Sequence, residues 1–349
     1  MIPVAIRADA SRAIGWGHVK RCLALAHALH AEGASPMLVA RQSDVAVEAL
    51  CEEAGVPLHW LPASDGSAPS RSLDAAQTLA ACFKDHPQLI VVDHYKLDRR
   101  WHDAVRTGGT RVVVIDDLAD RPLAADLLVD PNPSTDHAAK YAGVMQRDAL
   151  LLGGPRYALL DPIYALQPRP DFSDEVRSIG IFMGGTDAGG FSMQALKACR
   201  ASGFTGPIEI ATTSGNPALA DLQGMVRLDP LALITLDQPN LARFHARHDL
   251  QIGAGGSASW ERCCLGVPTL ALICADNQRH AVLPLAEAGL VLAVDMIGAA
   301  ASSHDALVKA IRSLIDDAPL RARQAETGRT WVDGLGAARV ARALLELPH

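Results

Sequence analysis

Short runs of aliphatic and β-branched residues alternate with longer segments of helical periodicity along nearly the whole chain. This alternation predicts parallel sheets covered by helices, because parallel neighbours are joined by crossover connections that are usually helical. In the first half the predicted strands are 3–8, 35–40, 89–93, 111–116 and 127–130. The predicted helices are 18–32, 43–54, 72–85 and, with a weaker pattern, 99–108.

A second series of the same kind begins near Val176. Its predicted strands are 176–183, 208–213, 249–252, 268–273 and 290–294, and its predicted helices are 190–202, 240–247, 259–265, 280–288 and 305–316. A chain of 349 residues is too long for one ordinary core, so we expect two Rossmann-like domains that share a cleft.

The predicted domain boundaries follow from the two series. The amino-terminal domain spans 1–153, the proline-rich segment 154–174 is a linker, and the carboxyl-terminal domain spans 175–335. A last helix in 336–349 can pack on either domain.

Charge and composition exclude several classes of function. The net charge of −7 gives no basic footprint for nucleic acid, and no apolar run reaches the roughly 18 residues of a membrane span. The amino-terminal segment lacks the pattern of a secretory signal, and the seven cysteines form no C-x-x-C pair. We therefore expect a cytoplasmic protein with reduced thiols, without a nucleic-acid or membrane partner, and monomeric by default.

The first motif that can carry chemistry is IRADASRAIGWGHVKRC. Gly15 and Gly17 lie between a predicted strand and helix, where the backbone can approach a ligand and helix N–H groups favour anions. His18 opens the helix, whose dipole disfavours the imidazolium and keeps the ring able to accept a proton. Asp9 orients a substrate or caps the loop. The alternative is a simple tight turn with a surface histidine.

The second motif, IGAGGSASWERC, is another glycine loop between a strand and a helix. Gly255 and Gly256 can hold a diphosphate through backbone N–H groups, and Ser257 can cap the helix. Glu261 in the first helical turn can accept hydrogen bonds from ribose hydroxyls; alternatively, it only complements the helix dipole. Trp260 is interpreted as a core residue.

Two further loops follow strands in the same half of the chain. Gly184 and Gly185 belong to a third strand–glycine–helix segment, IFMGGTDAGG, which is a weak signal alone. Asn277 and Gln278 follow strand 268–273, where polar side chains either face the cleft or cap a helix. Because two glycine loops occur here, this half is predicted to bind the nucleotide.

Acidic and aromatic side chains follow two strands of the first half. Asp93, His94 and Tyr95 come after one strand, and Asp116 and Asp117 come after the next. Their spacing matches neither an H-E-x-x-H site nor a two-histidine-one-carboxylate site, so no metal is predicted. Tyr95 either hydrogen-bonds a sugar hydroxyl or lies half-buried at the strand end.

Taken together, these segments resemble the UDP-2,4-diacetamido-2,4,6-trideoxy-β-L-altropyranose hydrolases of pseudaminic acid biosynthesis. The resemblance rests on RADAS-x-x-IG-x-GH-x-x-RC, VVDHY-x-LD-x-x-W, IDDLADR, GAGGS-x-SWERC and ADNQ, which occur in family order over nearly the whole chain. It implies a GT-B-like fold, no metal or cofactor, and UDP held mainly by the second domain. The segment GGTDAGG departs from the family pattern.

The resemblance also implies roles for individual residues. His18 is the proposed base for the attacking water, and Tyr95 and Asn277 are substrate-site residues. Arg21, in the same segment as His18, is counted among the substrate-binding residues. The predicted reaction is hydrolysis of a UDP-linked 2,4-diacetamido-2,4,6-trideoxyhexose to free sugar and UDP, in a pathway used for flagellin glycosylation. The alternatives are a GT-B glycosyltransferase using a UDP-amino sugar and a non-catalytic nucleotide-sugar sensor.

Overall fold

The computed structural model describes residues 1–11, 14–63, 70–82, 84, 86–168, 170–298 and 300–347. The chain forms two compact units. Unit 1 comprises Met1–Asp161 with Gly334–His349, and unit 2 comprises Pro162–Asp333. Each unit contains its own parallel sheet and its own core.

The sheet of unit 1 has seven parallel strands in the order β3-β2-β1-β4-β5-β6-β7. They are β1 Pro3–Ala8, β2 Ser35–Arg41, β3 Leu58–Leu61, β4 Leu89–Asp93, β5 Arg111–Ile115, β6 Leu127–Asp130 and β7 Leu150–Gly153. The connecting helices are α1 Gly17–Ala31, α2 Val47–Ala54, α3 Arg71–Ala81, α4 Arg99–Val105 and α5 His137–Tyr141. Because β4 and β5 are buried on both faces, their sequences are continuously apolar apart from the terminal Asp93 and Arg111.

The sheet of unit 2 has six parallel strands in the order β10-β9-β8-β11-β12-β13. They are β8 Ile179–Phe182, β9 Ile208–Thr212, β10 Ala232–Leu236, β11 Leu250–Ala254, β12 Thr269–Ile273 and β13 Leu292–Asp295. Its helices are α6 Pro162–Leu166, α7 Phe191–Ala201, α8 Leu219–Val226, α9 Ala242–Ala246, α10 Ala258–Leu265, α11 Arg279–Glu287, α12 Ala300–Asp316 and α13 Ala318–Trp331.

The strand order reverses once in each sheet, and ligands of open α/β sheets bind at such reversals beyond the carboxyl ends of the strands. In unit 1 the reversal separates β1 from β4, where Ala8 pairs with Asp93. In unit 2 it separates β8 from β11, where Phe182 pairs with Gly253. The loops that follow these four strands are therefore the places where each unit is expected to bind a ligand.

The unit boundary falls inside the predicted linker 154–174. Ala158, Leu159 and Leu160 are buried in unit 1, whereas Tyr164 on α6 is buried in unit 2 and contacts Glu261. The segment lacks periodicity because its apolar residues are divided between two cores. The last helix, α14 Gly336–Leu345, packs on α1 of unit 1, so the chain returns to the unit in which it began.

Several elements are absent from the predicted set because their patterns are weak. Strand β3 has four residues, and β10 is a half-exposed edge strand. Helix α13 buries Arg321, Gln324 and Gly328 along with Ala325, so its inner face has no apolar stripe. Within the described residues, no helix is both long and apolar enough to cross a bilayer.

Candidate active site

The loop after β1 brings His18 to the strand reversal of unit 1. Gly15 has φ +82°, a conformation that favours glycine, and its N–H donates to the Ser11 carbonyl at 2.7 Å. The turn leads directly into α1, which begins at Gly17, so His18 lies in the first helical turn. The apolar residues Val19, Cys22 and Leu29 anchor the opposite face of the helix in the core.

His18 is paired with the buried carboxylate that ends β4. Its Nδ1 lies 2.7 Å from Oδ1 of Asp93, whose side chain is 0% exposed. An ionised carboxylate can only accept, so Nδ1 carries the proton and Nε2 of the neutral ring carries the lone pair. Nε2 has no hydrogen-bond partner among the residues that the structure describes. The arrangement is that of an oriented general base, in which Asp93 stabilises the imidazolium once Nε2 takes a proton.

Arg21 holds the Asp93 carboxylate from the next turn of α1. Its Nε donates to Oδ2 at 2.5 Å and its Nη2 to Oδ1 at 2.6 Å. Burial alone would raise the pKa of Asp93, but the charge of Arg21 and the hydrogen bonds from Arg21 and His18 outweigh burial and hold that pKa well below its ordinary value. Asp93 therefore remains ionised and is oriented by Arg21; binding of substrate by Arg21 stays a prediction.

Tyr95 lies beside His18. The two rings meet edge to face, with 4.8 Å between centroids. Burial raises the pKa of the Tyr95 hydroxyl, and the nearby Asp117 and Asp93 carboxylates raise it further against the effect of Arg21. The hydroxyl is therefore neutral at ordinary pH and can donate or accept a hydrogen bond.

Asp9 is occupied by neighbouring protein groups. Its carboxylate pairs with Arg7, accepts the Arg41 N–H at 2.8 Å and lies 3.3 Å from Nε2 of His94. Burial alone would raise the pKa of Asp9, but His94 and Arg7 hold it well below its ordinary value. These contacts tie the end of β1 to the end of β2, and the choice between orienting a substrate and capping the loop stays a prediction.

In unit 2, the loop after β11 leads into α10 without a side-chain cap. Ser257 lies at the N-cap position, but among the described residues no side chain accepts a hydrogen bond there, so the predicted capping role of its hydroxyl is wrong. Gly256 has φ +147°, and a Cβ on Gly255 would lie 2.1 Å from Cγ2 of Val282. Both positions therefore require glycine. The N–H groups of Ser259 and Trp260 donate to the Gly256 and Ser257 carbonyls at 2.9 and 3.0 Å, so among the described residues it is the N–H groups of Gly256, Ser257 and Ala258 that remain for an anion.

Glu261, in the first turn of α10, is held by two side chains. The Tyr164 hydroxyl donates to Oε2 at 2.6 Å, and Nε2 of His245 lies 3.3 Å from the same oxygen. Burial lowers the pKa of His245, although Glu261 opposes this effect. The carboxylate is therefore fixed in orientation at the strand reversal of unit 2.

The GGTDAGG loop after β8 differs from the loop after β11. The Asp187 carboxylate accepts the N–H groups of Phe191 and Ser192 at 2.9 and 3.0 Å and so occupies the N-terminus of α7. These two N–H groups are therefore taken by Asp187, and contact of this loop with a phosphate stays a prediction. Gly184, with φ +87°, and Gly185, whose carbonyl accepts from Thr213 Oγ1 at 2.6 Å, offer only loop backbone.

The ADNQ segment forms a short 3₁₀ turn, Asp276–Gln278, after β12. The Asn277 side chain lies outside the described part of the chain. The Gln278 amide oxygen accepts the Cys274 N–H at 2.8 Å, and its Cβ lies close to Gly255. Gln278 is therefore placed at the edge of the glycine loop, with its amide NH₂ group still able to donate.

Two residues outside the predicted set belong to these sites. Asp93 was noted as part of an acidic cluster, but its pairing with His18 was not predicted. Arg262 is fully buried and donates through Nη2 to Ala254 O at 3.3 Å and Ser259 Oγ at 3.1 Å. Burial lowers the pKa of Arg262 to about 10, so it remains a cation beneath the α10 loop.

Trp260 is buried, which confirms its interpretation as a core residue.

Comparison with known proteins agrees with the sequence motifs. No protein-family model matches the chain. The chain is 26% identical over 294 residues to the UDP-2,4-diacetamido-2,4,6-trideoxy-beta-L-altropyranose hydrolase of Campylobacter jejuni, covering 82% of this chain and 97% of that protein. The chain resembles a nucleotide-sugar hydrolase. The resemblance inferred from the motifs is thereby confirmed.

Solved structures agree on the fold. MnaA of S. aureus, solved with UDP, superposes with a TM-score of 0.70 at 13% identity and covers 100% of this chain and 98% of its own. MurG of Acinetobacter baumannii superposes with a TM-score of 0.67 at 15% identity and covers 99% of this chain and 100% of its own. The predicted fold class, two Rossmann-like parallel-sheet domains of the GT-B kind, is confirmed. No group of three or more His, Cys, Asp or Glu side chains in the described ranges is arranged to hold a metal ion.

Proposed function

We propose that the chain hydrolyses a UDP-linked 2,4-diacetamido-2,4,6-trideoxy sugar to free sugar and UDP. The observation that carries the proposal is the His18–Asp93 pair at the strand reversal of unit 1, because an oriented base is what water attack requires. The likeness to the C. jejuni hydrolase supports a role in processing a UDP-sugar and suggests which sugar is used.

The proposed reaction is a single displacement at the anomeric carbon. The water oxygen bonds to that carbon while its proton passes to Nε2 of His18. The bond between the carbon and the UDP oxygen breaks, its electron pair leaves with UDP, and the configuration inverts. Asp93 stabilises the imidazolium through the 2.7 Å hydrogen bond to Nδ1. Solvent then removes the proton from Nε2 and restores the base.

The proposed UDP site belongs to unit 2. Backbone N–H groups of Gly256 and Ser257 would receive the diphosphate at the uncapped N-terminus of α10, with the loop at Gly184 and Gly185 beside it. Gly255, whose N–H donates to the Leu272 carbonyl at 3.0 Å, would contribute close backbone approach. Arg262, buried beneath the same loop, adds a positive charge that favours the anion. Glu261, oriented by Tyr164 and His245, is the proposed acceptor for ribose hydroxyls.

Turnover without an acceptor tests this function. The enzyme, a UDP-diacetamido sugar and water should yield free sugar and UDP in equal amounts. His18→Ala should lower turnover by roughly 10²–10⁴-fold, the ordinary contribution of a general base, while the Kd for UDP barely changes. Wild-type turnover in this variant would contradict the assignment of the base.

A glycosyltransferase is the second candidate, because the similar structures include MurG and a spinosyn rhamnosyltransferase. The same histidine would then deprotonate an acceptor hydroxyl. A transferase releases only traces of sugar until an acceptor is added, whereas a hydrolase needs none. A nucleotide-sugar sensor would bind the compound and release no product.

A further inference from the structure

Tyr164 lies on the short helix α6 of unit 2, in the segment that the sequence predicted to be a linker. The residue is only 5% exposed. Its hydroxyl donates to Oε2 of Glu261 at 2.6 Å, and its carbonyl accepts the Cys264 thiol at 3.7 Å. Both contacts join α6 to α10, the helix that follows the proposed phosphate loop. Tyr164 therefore has a position from which it can act on nucleotide binding without touching the nucleotide.

The hydrogen bond from Tyr164 orients the Glu261 carboxylate without cancelling its charge. Its length of 2.6 Å is typical of a hydroxyl bound to a carboxylate, which is one of the stronger kinds of hydrogen bond. The second donor, Nε2 of His245, is also neutral, because burial lowers the pKa of that ring. By contrast, the Glu209 carboxylate of the same unit pairs with the cation of Arg247. Two neutral donors leave Glu261 a strong acceptor for a ligand.

Glu261 lies at the right distance from the phosphate loop to meet a ribose. It follows Ala258, whose N–H remains for an anion, by one helical turn, or about 4.5 Å along the axis. In a nucleoside diphosphate the ribose is linked directly to the first phosphate. The Glu261 side chain is 14% exposed, so a ligand can reach it. A carboxylate has about four acceptor sites, so two protein donors do not saturate it.

We propose that Tyr164 is a positioning residue that makes this site selective for nucleotides with intact ribose hydroxyls. A carboxylate that is already held in place loses little side-chain freedom on binding, so its hydrogen bonds to the ribose contribute more to affinity. Without the Tyr164 hydroxyl, Glu261 must be ordered by the ligand itself. This inference rests on the proposed function, because it takes Glu261 as the ribose acceptor.

Isothermal titration of the full chain with UDP and with 2′,3′-dideoxy-UDP tests the inference. The wild type should prefer UDP by about 10–100-fold, because the dideoxy compound lacks the donors for Glu261. Tyr164→Phe keeps the ring in the core and removes only the hydroxyl. It should weaken UDP by about tenfold and leave dideoxy-UDP within about twofold. A merely structural role would change both affinities equally or neither.

The matched control is Tyr141→Phe, which removes another buried hydroxyl, one that donates to the Asp116 carbonyl of unit 1 at 2.8 Å. It should change neither affinity. Glu261→Ala should bind the two nucleotides alike, and adding Tyr164→Phe to it should cause no further change in their ratio. Thermal unfolding of each variant ensures that every titration is made on folded protein. The 2′-deoxy and 3′-deoxy compounds then identify the hydroxyl that Glu261 accepts.

A wild-type preference for UDP in Tyr164→Phe would overturn the inference, as would an equal loss of affinity for both nucleotides. A wild-type protein that binds the two nucleotides equally, or binds neither, would overturn it as well. Sugar release from the UDP-sugar is measured separately. No hydrolysis together with a ribose preference that depends on Tyr164 would refute the proposed function alone. Hydrolysis together with an unaltered preference in Tyr164→Phe would refute the role of Tyr164 alone.

Discussion

Replacing Asp93 by asparagine tests the arrangement of the base. The carboxylate is 0% exposed and accepts two hydrogen bonds from Arg21 and one from His18. Asparagine has one acceptor oxygen. If that oxygen faces Arg21, the amide NH₂ donates to Nδ1 of His18 and the ring proton moves to Nε2, where it abolishes the base. If the amide is reversed, its NH₂ group opposes the guanidinium.

Both arrangements predict a loss of turnover: the first removes the lone pair from Nε2, and the second keeps the tautomer but removes the negative charge that stabilises the imidazolium. Loss of the correct tautomer should lower kcat by about 10²–10⁴-fold. Leaving Arg21 without its buried partner should cost about 3–5 kcal/mol of unfolding free energy. For a domain of this size, that corresponds to a fall in Tm of about 6–20 °C. The Kd for UDP should remain unchanged, because the proposed UDP site belongs to unit 2.

The assay combines kcat and KM for the UDP-sugar with thermal unfolding, at a temperature where all variants are folded. Asp126→Asn is the matched control in the same unit. Its carboxylate also pairs with two arginines, Arg106 and Arg147 at 2.9 Å each, but it precedes β6 and so lies at the opposite edge of the sheet. It should lower Tm and leave kcat intact. If Asp93→Asn also kept wild-type kcat, the carboxylate would have only a structural role.

Three further outcomes follow from the structure. Gly255→Ala places a Cβ 2.1 Å from Val282 and should weaken UDP binding by about tenfold in titration. Gly224→Ala, whose Cβ would meet no atom within 4 Å, should leave UDP binding unchanged, and equal affinities of the two variants would contradict the packing argument. Asp187→Ala removes the carboxylate that caps α7 and should lower the free energy of unfolding, measured with urea, by about 1–2 kcal/mol. An unchanged free energy of unfolding would refute the capping role. Because the folded pKa of Asp93 lies below its unfolded value, its stabilisation is present above about pH 4 and is lost as pH falls further. The Tm of Asp93→Asn should therefore fall less between pH 5 and pH 3 than the Tm of the wild type. An equal fall in Tm for the two proteins would contradict this stabilisation by Asp93.

The fold was predictable from sequence where strands are buried on both faces. The strands β1, β4 and β6 have predicted and observed bounds that coincide, because their apolar runs end at turn residues or acids. Strand β10 was missed because an edge strand exposes part of its side chains and loses the continuous apolar pattern. Helix α13 was missed because a buried arginine and glutamine stand where an apolar stripe is expected.

The site was predictable only where it is local in sequence. Glycines before His18 and Ser257 mark the two strand–helix turns directly. The pairing of His18 with Asp93 spans 75 residues and depends on β4 lying next to β1, which is a property of the sheet order. The one sequence signal for it is an acid that ends a buried strand. Burial of Arg262 has no such signal, since arginine in a short helix is normally exposed.

The most direct test of the central claim is the position of ¹⁸O after reaction in labelled water without an acceptor. Attack on the anomeric carbon by water activated at His18 predicts ¹⁸O in the released sugar, unlabelled UDP, and inverted configuration in the first product seen by NMR. Label in the UDP phosphate, or release of sugar only when an acceptor is added, would contradict the account.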